Sequence, residues 1–270
     1  MTLPVSIRHE VCGTLVCRSA VHVGCGRASA QADLAVVRDG LDRPLVPGTS
    51  LAGALRAYLG TTPPLPGEPA PQRTVSAETI QTLFGFVEER TQNGAPALIR
   101  VDDALLLGPA VRVGTRDGVG IDRRTGAAAA GFLYEKETLP EGTRFTFRLV
   151  ADEPPDGDPC VPQAVERLVG ALRTGTVPVG AGRSTGLGRV VLEDITVRRA
   201  DLSRRAGLID WLTGRAVVCP TPVFEPAADR TMTITVRWKP VGPVLVKDSL
   251  EGAVVDTLPL TARDTRGRVR

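Results

Sequence analysis

Lysine is nearly absent from this chain of 270 residues. Only Lys136, Lys239 and Lys247 occur among the 33 basic residues, so the other 30 are arginine. Arginine suits nucleic acids, because its planar guanidinium binds phosphate through paired hydrogen bonds and stacks on bases. A GC-rich genome favours arginine codons as well, and the formal net charge is only +3. The composition therefore permits a nucleic-acid ligand without indicating one.

Paired cysteines and long apolar runs are also missing. The five cysteines are an odd number and form no Cys-x-x-Cys motif, so we expect buried, reduced thiols and no zinc site. No apolar run approaches the ~20 residues of a membrane-spanning helix. The first residues lack the basic and then apolar pattern of a signal peptide. These absences predict a cytoplasmic protein with no membrane partner.

Hydrophobic periodicity and capping signals predict an α+β domain. Strands are predicted at 5–18, 34–38, 98–107, 143–151 and 187–197, and helices from Pro47, at 76–86 and at 162–173. This order of strand, helix, strands, helix and strand is typical of a ferredoxin-like domain, a modified form of the RNA-recognition fold. The segments 61–72 and 114–134 are then insertions, and insertions of that length are usually functional or disordered.

The first glycine-containing element is Pro47-Gly48-Thr49-Ser50, which begins a predicted helix. Thr49 or Ser50 is expected to cap that helix. Its backbone N–H groups, its two hydroxyls and the positive end of the helix dipole together suit an anion. Every capped helix offers these groups, so this element alone indicates no more than a helix start.

The second element is the run from Gly180 to Arg189, GAGRSTGLGR. Its glycines allow close approach to a phosphate or positive φ angles, and Arg183 and Ser184 lie where they can bind an anion. The run follows a predicted helix and precedes a predicted strand, which is the reverse of a dinucleotide or P-loop context, and it lacks the P-loop lysine. A nucleotide cofactor is therefore disfavoured.

The two elements are specific when they occur together. The run from Pro47 to Arg56, PGTSLAGALR, followed by the glycine-rich run after a late helix, resembles the RAMP superfamily of CRISPR proteins. More narrowly, the pair is similar to the backbone subunits of type III effectors. Leu83-Phe84-Gly85 and Gly120-Ile121-Asp122-Arg123 fit the same pattern. The resemblance covers about residues 5–198.

The resemblance implies a subunit that binds guide RNA, meets a target RNA and assembles with other RAMP subunits or domains. It implies that both glycine-containing elements hold guide phosphates. It also implies a thumb hairpin within 113–134 that wedges between bases, as non-polar wedges do in single-stranded RNA complexes. The residues expected to bind RNA are His22, Gly24, Gly48, Thr49, Ser50, Arg56, Arg123, Arg124, Gly180, Gly182, Arg183, Ser184 and Gly186.

A catalytic role is implied for Asp33, which fills the position of the aspartate in target-cleaving members of the family. A carboxylate there helps to activate the target's own 2′-hydroxyl, together with Mg²⁺ or Mn²⁺. An exposed loop aspartate without catalytic function is the alternative, which makes the chain a non-catalytic guide-RNA scaffold. A third alternative is a guide-processing ribonuclease that uses His22, although we interpret His22 as RNA-contacting or structural.

The end of the chain resembles its beginning. Ile234-Thr235-Val236-Arg237 matches Val5-Ser6-Ile7-Arg8, and Arg263-Asp264 matches Arg38-Asp39. An internal repeat of this kind predicts tandem domains. We therefore expect a RAMP domain at 1–198, a linker at 199–231 and the start of a second, incomplete RAMP domain at 232–270, as in a truncated fusion. A C-terminal hairpin of the first domain is the alternative.

Overall fold

A computed structural model describes residues 5–30, 32–60, 75–88, 93–155, 159–220 and 235–243. The structure is a mixed α+β domain with a mostly antiparallel sheet, which confirms the predicted class. The elements in chain order are β1 (Ile7–Cys17), β2 (Leu45–Val46), α1 (Gly48–Gly60), α2 (Ala77–Phe84), β3 (Phe86–Glu88), β4 (Asn93–Ala95), β5 (Ile99–Val101), β6 (Ala104–Leu105), β7 (Gly114–Ile121), β8 (Ala128–Thr138), β9 (Arg144–Glu153), α3 (Cys160–Thr174), β10 (Val190–Asp201), α4 (Arg205–Leu212) and β11 (Val217–Cys219).

The central sheet has five strands in the order β11-β10-β1-β9-β5, and every neighbouring pair is antiparallel. β1 lies in the middle, and its alternate residues Val11 and Leu15 are completely buried. They face the helices, since α3 packs on β9 and β10 and α1 packs on β5. Alternation along a strand thus assigns one face of the sheet to the core.

Helices α1 to α3 are amphipathic and bury their apolar side. Leu51, Leu55 and Leu59 are the buried side chains expected on one face of α1. Ser76 caps α2, because its side chain accepts a hydrogen bond from the backbone N–H of Thr79. No helix in the described ranges is both long and apolar enough to cross a membrane.

The opposite face of the sheet carries ion pairs. Asp152 accepts hydrogen bonds from Arg8 at 2.6 Å and from Arg100 at 2.9 Å. Glu10 pairs with Arg148 at 2.7 Å and with Arg198 at 3.6 Å. The indole of Trp211, from α4, lies against the Arg8 guanidinium. We call this surface the open face; it consists of Arg8, Glu10, Arg100, Arg144, Arg148, Asp152 and Arg198.

The predicted strand at 34–38 is wrong as a continuous strand. Leu34 bridges Lys136 in parallel, Val36 bridges Gly24 in antiparallel, and Arg38 bridges Pro44. Each residue therefore has a different partner segment, and no ladder forms. The alternation of apolar residues correctly predicted that Val36 is buried. It could not predict that neighbouring residues pair with different segments.

The domain extends beyond its predicted boundary at residue 198. β10 runs to Asp201, and β11 pairs with β10 through Cys219 and Val197. α4 packs on β10, and a Cβ on Gly207 would lie 2.0 Å from the carbonyl oxygen of Asp201. Much of the predicted linker 199–231 is thus attached to the sheet. The predicted second domain at 232–270 lies outside the described residues apart from 235–243, and it stays a prediction.

The burial of the five cysteines differs. Cys17 is buried, and desolvation raises the pKa of its thiol to about 12. Cys25 is exposed, so the expectation of buried thiols is wrong for that residue.

Candidate nucleic-acid interface

The candidate site lies at one end of the sheet, where β1 ends at Cys17 and where β9 and β10 begin at Arg144 and Val190. We call it the loop end. The backbone N–H of Cys17 donates to Thr143, and that of Arg18 donates to Arg189. The connections after β1, before β9 and before β10 are therefore held together at this end.

The glycine-rich run forms a tight turn. Residues 183–185 make a single 3-10 turn between Gly182 and Gly186, which both adopt left-handed conformations with φ of 78° and 83°. The hydroxyl of Thr185 donates to the carbonyl of Gly182 at 2.8 Å. The side chains of Arg183 and Ser184 are exposed. The turn thus holds its own backbone rigidly and presents a guanidinium and a hydroxyl to solvent.

The turn is also attached to the loop that follows β1. The N–H of Ala181 donates to the carbonyl of His22 at 2.9 Å, and the N–H of Gly188 donates to the carbonyl of Ala20. A Cβ on Gly180 would lie 2.2 Å from the same His22 oxygen, and Gly180 has a φ of 83°. Only glycine fits here, for reasons of both space and conformation.

The His22 ring is buried, with an exposed fraction of 4%. Its Nδ1 donates to the carbonyl oxygen of Glu137 at 2.7 Å. Burial is the main cause that lowers the pKa of His22, and it outweighs the hydrogen bond to Glu137, which raises it. Gly24 accommodates the ring, because a Cβ there would lie 2.9 Å from Nε2. His22 and Gly24 therefore support the loop from inside.

Asp33 is exposed on the same loop, and its carboxylate is held by the backbone of β8. Oδ2 accepts a hydrogen bond from the N–H of Glu135 at 2.9 Å. The next residue, Leu34, exchanges backbone hydrogen bonds with Glu135 and Glu137. β8 is also a strand of the 114–138 hairpin, so the position of Asp33 depends on that hairpin.

Glu137 was not predicted from the sequence. Its buried carboxylate accepts hydrogen bonds from the Ser29 hydroxyl at 3.0 Å and from the Val36 N–H at 2.9 Å, and Arg38 approaches it at 3.4 Å. All three partners belong to the loop that carries Asp33. No sequence pattern could have indicated this role of Glu137, because its partners lie 99 to 108 residues away along the chain.

The N-terminus of α1 is capped by a residue that is distant in the sequence. The N–H of Gly48 donates to the Asp103 carboxylate at 2.7 Å, and a Cβ on Gly48 would lie 2.1 Å from the carbonyl oxygen of Val101. The prediction that Thr49 or Ser50 caps this helix is therefore wrong, since both lie within its first turn. The Gly48 amide is occupied by Asp103, while Thr49 is exposed and Ser50 is half-buried.

β7 and β8 form the predicted hairpin, with Asp122 closing its tip. The Asp122 carboxylate accepts from the N–H of Arg124 at 2.8 Å, and its carbonyl accepts from the N–H of Gly126. Arg123 and Arg124 are exposed at this tip. The hairpin also exposes large apolar side chains. These are Val119, Ile121, Phe132, Leu133 and Tyr134.

Arg56 lies apart from the two glycine-containing elements. It is exposed two turns into α1 and lines a groove of about 480 Å³ with Gln81 and Phe86. The structure brings His22, Gly24 and residues 180–186 together at the loop end. Arg123 and Arg124 lie at the hairpin tip, Gly48 to Ser50 lie at the start of α1, and Arg56 lies on a separate surface.

A metal ion would find few ligands at the loop end. Within the part of the chain that the structure describes, no group of three His, Cys, Asp or Glu side chains can hold one. Asp33 offers a single exposed carboxylate. Mg²⁺ is commonly held by one or two carboxylates together with substrate phosphates, so Asp33 fits a metal only in combination with bound RNA.

The family is decided by comparison with known proteins. A family model for the RAMP superfamily matches residues 14–191, well over half of the chain. This chain belongs to the RAMP superfamily. The matched region contains the end of β1, the Asp33 loop, the β7–β8 hairpin and the glycine-rich turn of this RAMP protein. Its membership is consistent with a CRISPR-associated, RNA-binding function. No curated protein matches the chain.

Proposed function

We propose that this RAMP protein is a backbone subunit of a type III CRISPR effector that binds guide RNA and cleaves complementary target RNA in antiviral defence. One observation carries the proposal. The single loop after β1 contacts the glycine-rich turn through His22 and Ala181, and it contacts the hairpin strand β8 through Asp33 and Glu135. The loop after β1 thus connects the glycine-rich turn, which is the proposed phosphate site, with the β7–β8 hairpin, and the same loop carries the Asp33 carboxylate.

The sheet order supports a ferredoxin-like domain. The four strands β10-β1-β9-β5 are neighbours in that order, with α1 between β1 and β5 in the chain and α3 between β9 and β10. This is the arrangement expected of a β-α-β-β-α-β domain. The paired charges of the open face make that face a poor platform for stacking bases, so we assign guide binding to the loop end.

Guide phosphates are expected at the glycine-rich turn. Arg183 and Ser184 are exposed there, and Arg183 has no carboxylate partner among the described residues. Arg123 and Arg124 at the tip of the β7–β8 hairpin extend the positive surface. The exposed Phe132 and Leu133, with exposed fractions of 61% and 74%, are suited to separate stacked bases. Recognition of sequence is then left to base pairing.

Cleavage is expected to use the target RNA as its own nucleophile. The Asp33 carboxylate accepts the proton of a target 2′-hydroxyl, the 2′-oxygen bonds to the adjacent phosphorus, and the bond from phosphorus to the 5′-oxygen breaks. The products are a 2′,3′-cyclic phosphate and a 5′-hydroxyl, which takes its proton from water. A bound Mg²⁺ or Mn²⁺ would stabilise negative charge on the phosphate, with Asp33 as its protein ligand.

A non-catalytic scaffold is the second candidate. It is favoured by the isolation of Asp33, whose carboxylate bonds to a backbone amide and lies outside any cluster of metal-binding side chains in the described residues. A guide-processing ribonuclease based on His22 is disfavoured, because the ring is buried and a catalytic base must touch the RNA.

Asp33→Ala in the assembled effector separates the first two functions. We expect guide binding to stay unchanged while cleavage of a guide-complementary RNA falls by at least about 100-fold, as is usual when a general base is lost. Cleavage should be followed by gel electrophoresis of end-labelled target RNA. Unchanged cleavage by the variant would refute the enzymatic function. A wild-type complex that binds target RNA without cutting it would identify a scaffold.

A further inference from the structure

We propose that Glu137 is the positioning residue for Asp33, an inference that rests on the proposed cleavage. Glu137 does not reach the RNA, because its side chain is only 5% exposed. It acts by holding the loop that carries Asp33 against β8. The carboxylate thereby sets where the catalytic oxygen atoms lie relative to the hairpin and to the RNA bound there.

Glu137 accepts hydrogen bonds from residues on both sides of Asp33 in the sequence. Ser29 donates to Oε1 from four residues before Asp33, and Val36 donates to Oε2 from three residues after it. A backbone amide that donates to a buried carboxylate makes a charge-assisted bond, which is stronger than a neutral one. Both sides of the Asp33 loop are therefore attached to a single side chain.

Asp33 cannot hold this position by its own packing, because it is exposed. Its carboxylate is aligned by the N–H of Glu135, and its neighbour Leu34 donates to the carbonyl of the same residue. These bonds form only while the loop lies alongside β8. Glu137, two residues further along that strand, is the side chain that keeps it there.

Loss of the Glu137 carboxylate is expected to slow the chemical step rather than to weaken binding. A displacement of ~1 Å in a catalytic group can cost ~100-fold in rate. The glycine-rich turn is attached through backbone atoms of Ala20 and His22, which Glu137→Ala leaves in place. We therefore expect guide and target affinities within about twofold of wild type, and a maximal rate constant about 100-fold lower, as for a misplaced base.

The test compares Glu137→Ala, Glu137→Gln and Asp152→Ala in the assembled effector, by single-turnover cleavage at several target concentrations. Glutamine keeps an acceptor oxygen for Val36, so it should recover most of the rate that alanine loses. Asp152 is the matched control, because it is equally buried at 4% exposure and bonds to Arg8 and Arg100 on the open face. Its alanine variant should keep the wild-type maximal rate constant.

Several outcomes overturn the inference. They are a folded Glu137→Ala complex that cleaves at the wild-type rate, a loss in Asp152→Ala as large as in Glu137→Ala, and a Glu137→Gln variant as slow as Glu137→Ala. If Glu137→Ala does not fold, Ser29→Ala decides, and a wild-type rate in that variant overturns the inference.

The failures of the two proposals are distinguishable. Unchanged cleavage by Asp33→Ala refutes the enzymatic function and this inference together. Loss of cleavage in Asp33→Ala with an unaffected Glu137→Ala refutes the positioning role alone.

Discussion

Arginine side chains meet different surroundings on the open face and at the loop end. On the open face, Arg8, Arg100 and Arg148 each bond to a carboxylate of the sheet. Arg183 in the glycine-rich turn and Arg123 at the hairpin tip are exposed, and neither forms an ion pair within the ranges that the structure describes. Arg8, Arg100 and Arg148 are therefore neutralised by carboxylates, whereas Arg123 and Arg183 keep their positive charge.

The difference shows why net charge is a poor guide to the ligand of this protein. The formal net charge of +3 is a sum over the whole chain. It combines the open face, whose charges cancel, with the surface of Arg123 and Arg183, which keeps its positive charge. Under the proposed function, we expect only the second surface to attract phosphate, because carboxylates have already satisfied the guanidinium donors of the first.

The triple substitution of Arg123, Arg124 and Arg183 to alanine should weaken guide-RNA binding by about 100-fold at about 0.15 M salt. It should also reduce the slope of log affinity against log salt concentration by about 2, because each phosphate contact on a single strand contributes about 0.7. Fluorescence anisotropy with labelled guide RNA at several salt concentrations measures both quantities.

A charge-matched triple substitution on the open face is the control. Arg100, Arg144 and Arg198 can all be changed to alanine, and each of their main partners keeps another arginine. Asp152 keeps Arg8, Glu10 keeps Arg148, and Glu193 keeps Arg18. We expect affinity within about threefold of wild type. An equal loss in both triple variants would mean that charge alone, and not its location, governs binding.

Gly180→Ala should destabilise the loop end by about 2–3 kcal/mol, since it combines a left-handed backbone with a collision at the His22 carbonyl. Gly186→Ala has the same φ of 83° but no atom within 4 Å of the new Cβ, so we expect only about 1 kcal/mol. Urea unfolding measures both variants. Equal losses would exclude the close contact with His22 as the reason for glycine at position 180.

Arg148→Ala should destabilise the domain by about 1–2 kcal/mol, because Glu10 is buried and loses its closer partner. Arg144→Ala removes a more exposed pair and should cost less than about 0.5 kcal/mol. Guide-RNA affinity should stay unchanged in both variants. If fully folded Arg148→Ala protein bound guide RNA more weakly than wild type, the RNA would have to contact the open face.

Acid should loosen the loop end before the open face. Burial lowers the pKa of His22, so the unfolded chain binds more protons just below the ordinary histidine value of about 6.5. Stability from His22 is therefore complete above that pH and declines as the pH falls toward the lowered value, by at most about 1.4 kcal/mol per pH unit. Amide hydrogen exchange of Ala181 and Val197 at several pH values compares the two regions. Faster exchange of Val197 would contradict the assignment.

Much of the fold was predictable, because its strands and helices are amphipathic. The stripe of Leu51, Leu55 and Leu59 indicated α1, and the alternation of Phe145, Phe147 and Leu149 indicated β9. The segment 34–38 failed the same test, since its residues pair with three different segments. β11 was not predicted, because three residues of strand carry a weak periodic signal.

The candidate site was predictable only where glycine has a conformational reason. Gly180, Gly182 and Gly186 all adopt positive φ, which explains the density of glycine in the turn. Glu137 and Asp103 escaped prediction, because each acts on a segment that is distant along the chain. A single acidic residue produces no periodic pattern in the sequence, so the backbone amide to which it will bind cannot be predicted.

The class of the fold, the glycine-rich turn and the resemblance to the RAMP superfamily all follow from the amino-acid sequence. These depend on local conformational preferences and on short motifs, which the chain encodes directly. Tertiary structure decided which arginines are neutralised, which acid caps α1 and which side chain holds the Asp33 loop. Those outcomes depend on contacts between residues that are far apart in the chain, and only the folded sheet brings them together.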